Sequence, residues 1–366
     1  MEKTNRSVVS EFILLGLSKS QNLQILFFVG FSVVYGGIVL GNLLILVTVI
    51  FDSCLHTPMY FLLINLSCID MILASFATPK MIADFLRDRK TISWWGCYSQ
   101  MFFMHLLGGS EMMLLVAMAI DRYVAICKPL RYMTIMSPRV LFGLLLSSYA
   151  VGFMHSSSQM AFMLNLPFCG PNVVDSFFCD LPLVIKLACK DTYVLQLLVI
   201  ADSGLLSLVC FLLLLVSYTV IIYSVRHHTA SGSSKAFSTL SAHITVVTLF
   251  FAPCVFIYVW PFSRYSIDKI LSVFYTIFTP LLNPIIYTLR NQEVKAAIRK
   301  IRDSTYKFKA RFVDDTAEGV FGHYLGMYFK CISSSIKQYV IVKKEASLLS
   351  SLMFKCIIST VGQVCI

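Results

Sequence analysis

The chain has 366 residues and a formal net charge of +11; 57% of its residues are hydrophobic and only 13% are charged. A soluble domain carries about 25% charged residues and about 45–50% apolar ones. The apolar excess is gathered in blocks, which excludes one large soluble core and points to membrane spans. The blocks are too long and too continuously apolar for a transmembrane barrel, whose strands alternate over about ten residues.

Residues 1–22 are mixed and polar, with no basic region running directly into an apolar run and a small-residue cleavage site. The first span is therefore expected to act as an uncleaved signal. Asn5-Arg6-Ser7 is a glycosylation sequon in this segment and makes Asn5 a candidate acceptor. Asn65-Leu66-Ser67 has the same pattern but lies inside a span. Seven apolar blocks follow, near 23–50, 58–83, 96–121, 140–162, 196–223, 237–261 and 270–289. Each is about long enough to cross the hydrocarbon layer. Backbone groups in lipid must be paired internally, so each block is expected to be a helix. The predicted fold class is an all-α membrane protein: a seven-helix transmembrane bundle with a short amphipathic helix after the last span, together covering 23–302. Residues 303–366 are an atypical extension, with Asp314-Asp315, the run Ser333-Ser334-Ser335 and an apolar stretch from Leu348 to Ile358. This tail is expected to be cytoplasmic and poorly ordered.

The basic residues lie in loops and after Leu289, with no basic stripe interleaved with aromatics. Nucleic acid is thus not an expected partner; a lipid bilayer is. Lys/Arg counts orient the bundle weakly. Arg122, Lys128, Arg131 and Arg139, with Arg290, Lys295, Arg299, Lys300 and Arg302, favour the cytoplasm, while Arg87, Arg89 and Lys90 argue the other way. The cysteines are more informative. Of twelve, Cys54, Cys68, Cys127, Cys210 and Cys254 fall in or beside spans and read as small apolar packing residues. Cys97 starts the third span, and Cys169, Cys179 and Cys189 lie in the long loop between the fourth and fifth. All four sit on one side, taken as extracellular because disulfides persist there. The expected location is the plasma membrane with the N-terminus outside. Four cysteines allow three connectivities. Pro167, Pro171 and Pro182 break helix in this loop and favour a lid-like segment.

The motifs come in a fixed order. Gly41-Asn42 lies in the first span. Pro58-Met59-Tyr60-Phe61, Leu66-Ser67-Cys68-Ile69-Asp70 and Pro79-Lys80-Met81 lie in the second. The third ends in Met118-Ala119-Ile120-Asp121-Arg122-Tyr123-Val124-Ala125-Ile126-Cys127. Lys235-Ala236-Phe237-Ser238-Thr239 and His243 belong to the sixth. The seventh holds Pro280-Leu281-Leu282-Asn283-Pro284-Ile285-Ile286-Tyr287-Thr288-Leu289-Arg290-Asn291. With these residues the chain resembles the odorant receptors, a rhodopsin-like family of G-protein-coupled receptors, over about residues 5–302. Three cysteines in the long outer loop favour odorant receptors over other rhodopsin-like ones. The sequence departs from the family pattern at Ile120, where Tyr is usual, at Leu240, where Cys is usual, and at Phe251-Ala252, where Tyr-Gly is common.

The resemblance implies a receptor rather than an enzyme, and no nucleophile–base pair, metal cluster or phosphate loop stands against that. A transporter would be expected to show internal repeats or paired broken helices. The expected partners are a small volatile odorant and a heterotrimeric stimulatory G protein that raises cyclic AMP. A non-olfactory small-molecule receptor of the same superfamily is the alternative. The expected disulfide pairing, one of the three, joins Cys97 to Cys179 and Cys169 to Cys189 and folds the long loop onto the bundle mouth. Asp121 and Arg122 are expected to form an ion pair at the cytoplasmic edge, in a switch shared with Tyr123, Lys235, His243 and Tyr287; Lys235 reads equally as a lipid-facing charge. Asp70, Glu111, Asn42 and Asn283 are expected around one internal polar site. Charged groups at this depth need partners, and two close carboxylates share a proton or trap a cation, here a sodium ion. No other cofactor is expected.

Helical spacing puts Met104, His105, Gly108 and Met112 on one face of the third span, and Asp202, Ser203 and Leu206 on a matching face of the fifth. Cys254, Val255 and Tyr258 from the sixth span and Val273, Thr276 and Ile277 from the seventh complete the predicted pocket. It is mostly apolar with a few polar points, the usual character of a small-molecule site. Met104 stands where the resemblance would put the counter-ion of an amine receptor, which argues against an aminergic ligand.

Overall fold

Each apolar block becomes one long helix. The computed structural model describes residues 10–18, 20–164, 166–168, 172–189, 191–228, 233–259 and 271–315; side chains are described for these except at 162, 225–228, 233–240, 242, 257–259, 289–290 and 304–315. The bundle helices are α1 (Gln21–Phe51), α2 (Pro58–Phe85), α3 (Trp94–Cys127), α5 (Pro138–Met163), α7 (Tyr193–His228) and α8 (Ser233–Val259). The last, α9, runs over 271–290 and contains a π turn at Phe274–Phe278. Among the described residues six helices are long and apolar enough to cross a membrane, and α8 adds the apolar stretch His243–Phe256. Together they form the seven-helix bundle. Large apolar side chains such as Val33, Leu40, Leu205 and Val216 remain exposed on its flanks, as a lipid-facing surface requires.

The helix ends follow local chemistry. Pro58 and Pro138 open α2 and α5, where a missing N–H costs nothing. The Ser93 hydroxyl caps α3 by accepting from the Gly96 amide at 3.1 Å. α1 ends at Asp52, whose carboxylate accepts from the Cys54 amide and starts a 3-10 turn, Ser53–Leu55.

Three features depart from the sequence expectation. The chain is not wholly helical: β1 (Glu11–Leu14) lies between β2 (Thr91–Ser93), antiparallel to it, and β3 (Val173–Val174), parallel to it. The polar N-terminal segment hides Phe12 and Leu14, both buried, so strand pairing there secures apolar anchors. α3 runs past residue 121 to Cys127, so Arg122 and Tyr123 are helical. The helix after the last span, α10 (Gln292–Asp315), has 24 residues and passes residue 302. Its sequence explains this. Val294, Ile298, Ile301, Phe308 and Phe312 recur near helical spacing among Lys, Arg and Ala, with no Pro or Gly to stop it. The expectation for the rest of the tail, 316–366, lies outside the described residues. The chain divides into two compact units, 1–295 and 296–366.

At one end of the bundle the loop between α5 and α7 lies over the helices. Cys97 is disulfide-bonded to Cys179, with Cα atoms 5.4 Å apart. Gln100 fixes the same point from α3: its Oε1 accepts from the Cys179 amide at 2.9 Å, and its Nε2 donates to the Phe76 carbonyl of α2 at 2.7 Å. The short helix α6 (Leu181–Ile185) buries Leu181, Val184 and Ile185 against Phe12, Leu14, Met101, Met160 and Met163. Cys189 is disulfide-bonded as well; its amide donates to the Pro167 carbonyl at 2.8 Å, and Phe168 bridges Ala188. Cys169 lies outside the described residues. A remaining short helix, α4 (Tyr132–Ile135), sits in the loop between α3 and α5.

α3 is the central helix and packs on α2, α5, α7 and α8. Its approach to α5 is closest at Gly109 and Gly152. A Cβ on Gly109 would stand 3.1 Å from the Gly152 Cα; one on Gly152 would overlap the Ser110 hydroxyl and the Leu106 carbonyl and stand 2.8 Å from the Ser110 amide. Small residues at such a crossing let two backbones meet in lipid. Gly152→Ala should therefore cost about 1–3 kcal/mol by overpacking. The expected outcome is a lower melting temperature of the detergent-purified protein, while Gly143→Ala, whose Cβ would meet nothing within 4 Å, does not lower it.

Candidate functional site: a cavity and two polar stations along one helix

α3 carries three stations in succession. Near the disulfide end it lines a cavity; midway it enters a cluster of buried oxygens; at the opposite end it holds an ion pair.

The cavity encloses about 600 Å3 of space between atoms, part of it open to solvent. Of the residues predicted from spacing, Met104, His105, Gly108, Met112, Ser203 and Cys254 line it. Leu73, Gly109, His155, Phe178, Cys179, Asp180, Phe250 and Tyr275 line it too; of these, sequence had singled out only Gly109, as making room or serving close helix packing, and Cys179, as a disulfide cysteine. Leu206, Val255, Val273, Thr276 and Ile277 are not among the lining residues, and the Tyr258 side chain lies outside the described residues. Thr276 instead donates to the Ser272 carbonyl within its own helix at 2.6 Å. The loop residues Phe178, Cys179 and Asp180 form part of the wall because the Cys97–Cys179 bond brings them to α3, a long-range effect that spacing within a helix does not reveal.

Asp202 is tied to α5 rather than placed on the cavity wall. Its Oδ2 accepts from His155 Nδ1 at 3.1 Å, Ser158 Oγ at 2.9 Å and Gln159 Nε2 at 2.7 Å. Gln159 Nε2 also reaches Ser203 Oγ at 3.2 Å. The sequence signal for this cluster was the run His155 to Gln159, five polar residues in a lipid-crossing helix. Such a run is costly unless it meets a partner. His155 also meets His105, their ring centroids 5.7 Å apart.

Midway down, Asn42, Asp70, Glu111 and Asn283 are all buried. Asn283 Nδ2 donates to Asp70 Oδ2 at 2.9 Å, and Asn42 Nδ2 donates to the Ile38 and Pro280 carbonyls, both at 3.0 Å. Asp70 and Glu111 interact electrostatically. Five oxygens from this set have no hydrogen-bond donor: Asn42 Oδ1, Asp70 Oδ1, both Glu111 oxygens and Asn283 Oδ1. Buried acceptors left unpaired are costly. An all-oxygen, partly anionic set of this kind matches the ligand chemistry of a hard cation, so the residues fit a sodium ion.

At the far end of α3, Arg122 Nη2 donates to Asp121 Oδ2 at 2.5 Å and its Nε does so at 3.1 Å. Asp121 is fully buried and Arg122 nearly so. The other carboxylate oxygen, Oδ1, accepts from Tyr132 Oη at 2.7 Å. Burial and then the bond to Asp121 push the Tyr132 hydroxyl above its ordinary pKa, so it stays a donor across the physiological range. Arg122 is in electrostatic reach of Tyr218, His243 and Tyr287. Tyr287 Oη and His243 Nδ1 lie 3.4 Å apart. Tyr123 is half-buried, and the Lys235 side chain, like Asn5, lies outside the described residues. Tyr132 was missed from sequence because its loop has no periodicity to assign it a face.

The sequence model of a family described as olfactory receptor matches residues 31–304. The chain is 92% identical over 300 residues to olfactory receptor 4K13 of Homo sapiens, a match covering 82% of this chain and 99% of that protein. It is 64% identical over 316 residues to human olfactory receptor 4K3, covering 86% of this chain and 100% of the relative. It is 66% identical over 310 residues to human olfactory receptor 4K14, covering 84% and 100%.

Tyr132→Phe removes one acceptor-satisfying bond from a buried carboxylate. It should lower stability by about 1.5–3 kcal/mol, the range for a hydrogen bond to a charged group. Thermal denaturation in detergent checks it, with Tyr193→Phe, at an exposed ring, as the neutral control.

Proposed function

This chain belongs to the olfactory receptor family, and on that premise we propose that its cavity takes small, mostly apolar volatile molecules and that occupancy is passed along α3 to a heterotrimeric stimulatory G protein, raising cyclic AMP. The observation that carries this reading is that one helix lines the cavity with Met104, His105, Gly108 and Met112 and, about two and a half turns past Met112, holds the Asp121–Arg122 pair. An apolar wall interrupted by few polar groups suits a small organic ligand. Met104 offers no counter-ion for an amine. Arg122, an always-charged fork donor, is held by Asp121 and so kept from any other partner until that pair opens. The protein is read as a multi-pass plasma-membrane protein with the N-terminus outside, Asn5 glycosylated, and a second disulfide joining Cys169 to Cys189.

The internal site is read as holding a sodium ion between Asp70 and Glu111, with Asn42 and Asn283 beside them. The ion would supply positive charge to five otherwise unpaired oxygens and favour the packed arrangement of α1, α2, α3 and α9. It takes part in no chemical step.

A cyclic-AMP reporter assay in cells expressing the chain, run with a chemically diverse panel of volatile molecules, tests the main reading. Activation by some of them, abolished in Arg122→Ala at equal surface expression, is the expected result. Activation by peptides or catecholamines alone would overturn it. For the internal site, sodium chloride should raise the melting temperature of the purified protein relative to choline chloride. That difference should vanish in the Asp70→Asn, Glu111→Gln double variant; persistence there would remove the ion from this site.

A further inference from the structure

At the disulfide end a second, smaller cavity encloses about 200 Å3 of space between atoms, part of it open to solvent. It shares no lining residue with the large cavity. Leu14 and Gly16 line it from the end of β1, Met81, Asp84 and Phe85 from the end of α2, Phe177 from the long loop, and Lys90 from the residue before β2. Among the described residues Lys90 is the only lysine or arginine that is buried, at 8% exposure. A lysine so far from water is ordinarily paired.

Lys90 is not. Among the described residues no carboxylate pairs with it: Asp84 is held by Lys80, Glu11 by Arg89 at 2.7 Å, and Asp88 is exposed to solvent. Its carbonyl accepts from the Leu14 amide at 2.8 Å, but its ammonium has no hydrogen-bond partner among the described residues. The ammonium is not one of the atoms sealed from solvent, so it keeps accessible surface. Gly16 locates it: a Cβ there would stand 3.3 Å from Lys90 Nζ and 3.6 Å from its Cδ. Both residues line the cavity, which puts the ammonium at its wall.

The other polar groups on this wall are engaged or out of reach. The charges of Asp84 and Lys80 cancel; Asp84 Oδ1 has no donor, but it is sealed off and presents nothing to an occupant. The Gly16 amide donates to the Ser176 carbonyl at 3.0 Å. What remains is one uncompensated positive charge beside the apolar side chains of Leu14, Met81, Phe85 and Phe177. A monoanion with an apolar tail complements both features, because a charge-assisted hydrogen bond meets the ammonium and the tail covers the apolar wall.

We propose that this cavity is a second binding site, separate from the large one, that takes a short-chain carboxylate with its anionic group on Lys90. The inference does not depend on what the large cavity holds.

The test follows thermal melting of the detergent-purified full chain at fixed sodium concentration and ionic strength, so that the internal site between Asp70 and Glu111 meets unchanged conditions. Gluconate, bulky and polar, is the reference anion. Chloride or sodium butanoate replaces it stepwise, and butanamide serves as the neutral isostere of butanoate. The expected result is half-maximal stabilisation by butanoate at about tenfold lower concentration than by butanamide or chloride. In Lys90→Met the advantage of butanoate should disappear. In gluconate that variant should melt no lower than the parent, since an unpaired charge has been replaced by an apolar side chain of similar length. Lys90→Gln carries the same comparison if Lys90→Met fails to fold. Butanoate no better than butanamide in the parent, or an undiminished advantage in a folded Lys90 variant, overturns the site. Chloride matching butanoate marks an adventitious ion only and overturns the carboxylate assignment.

Discussion

Inside a bilayer no polar group can borrow a hydrogen bond from water, and that constraint orders this structure more than any single contact. The effect is clearest where proline interrupts a helix. Pro284 has no N–H to give to the Pro280 carbonyl one turn earlier. Asn42, from α1, donates to that carbonyl at 3.0 Å. The donor can reach it because α1 presents glycine there: a Cβ on Gly41 would lie 3.0 Å from Pro284 Cγ, and one on Gly37 would lie 3.0 Å from Leu281 Cδ1. A proline, an asparagine and two glycines, far apart in sequence, thus form one joint between the first and last spans. Gln100 does comparable work at the other end, joining α2, α3 and the loop disulfide through one amide. Ser156 on α5 donates to the Phe102 carbonyl of α3 at 2.6 Å beside the glycine crossing.

Against so thorough a pairing, the exceptions carry information. Most of the buried side-chain atoms without partners fall in a few places: the oxygens of Asn42, Asp70, Glu111 and Asn283, His243 Nε2 near the Asp121 end, and His105 Nε2 in the cavity. Each lies at one of the stations along α3. Such groups are expensive to leave unpaired, and the proposed ion and switch are readings of where these exceptions fall.

Much of this was legible in the chain before any fold was known. Seven apolar blocks gave seven helices because hydrocarbon leaves the backbone no other choice. The part of the cavity wall on α3 was legible from helical spacing, since Met104, His105, Gly108 and Met112 recur on one face. What spacing could not supply was rotation and contact. On α7, Asp202 and Ser203 are adjacent and both meet the polar run of α5, yet only Ser203 also lines the cavity. On α9 the π turn at Phe274–Phe278 shifts the helical register. It begins just after Val273 and contains Thr276 and Ile277, which spacing had placed in the pocket, while Tyr275 took a place in the wall. The strand at Glu11–Leu14 was hidden because its partners lie about 80 and 160 residues away, at Thr91–Ser93 and Val173–Val174. The loop wall from Phe178 to Asp180 likewise depends on a covalent bond across a sequence separation of 82.

The same contacts limit how the two ends of α3 can communicate. α3 and α5 meet where neither backbone has room for a methyl group, with Gly109 against Gly152 and Ser110 close behind. Interfaces packed this closely hold one register rather than sliding. Gln100 and the Cys97–Cys179 bond fix the top of α3 to the loop. A change at the cavity therefore has little freedom along the α3–α5 seam and is confined to the faces that α3 turns to α7 and α8. On those faces, Cys254 and Phe250 from α8 and Ser203 from α7 line the cavity, and His243 on α8 approaches Tyr287 of α9 at 3.4 Å, in electrostatic reach of Arg122. Asp121 itself is held from two sides, by Arg122 along the helix and by Tyr132 from the adjoining loop. Releasing Arg122 requires moving a neighbour rather than breaking α3. If Arg122 is released as proposed, His243 of α8 and Tyr287 of α9 are the neighbours within its electrostatic reach.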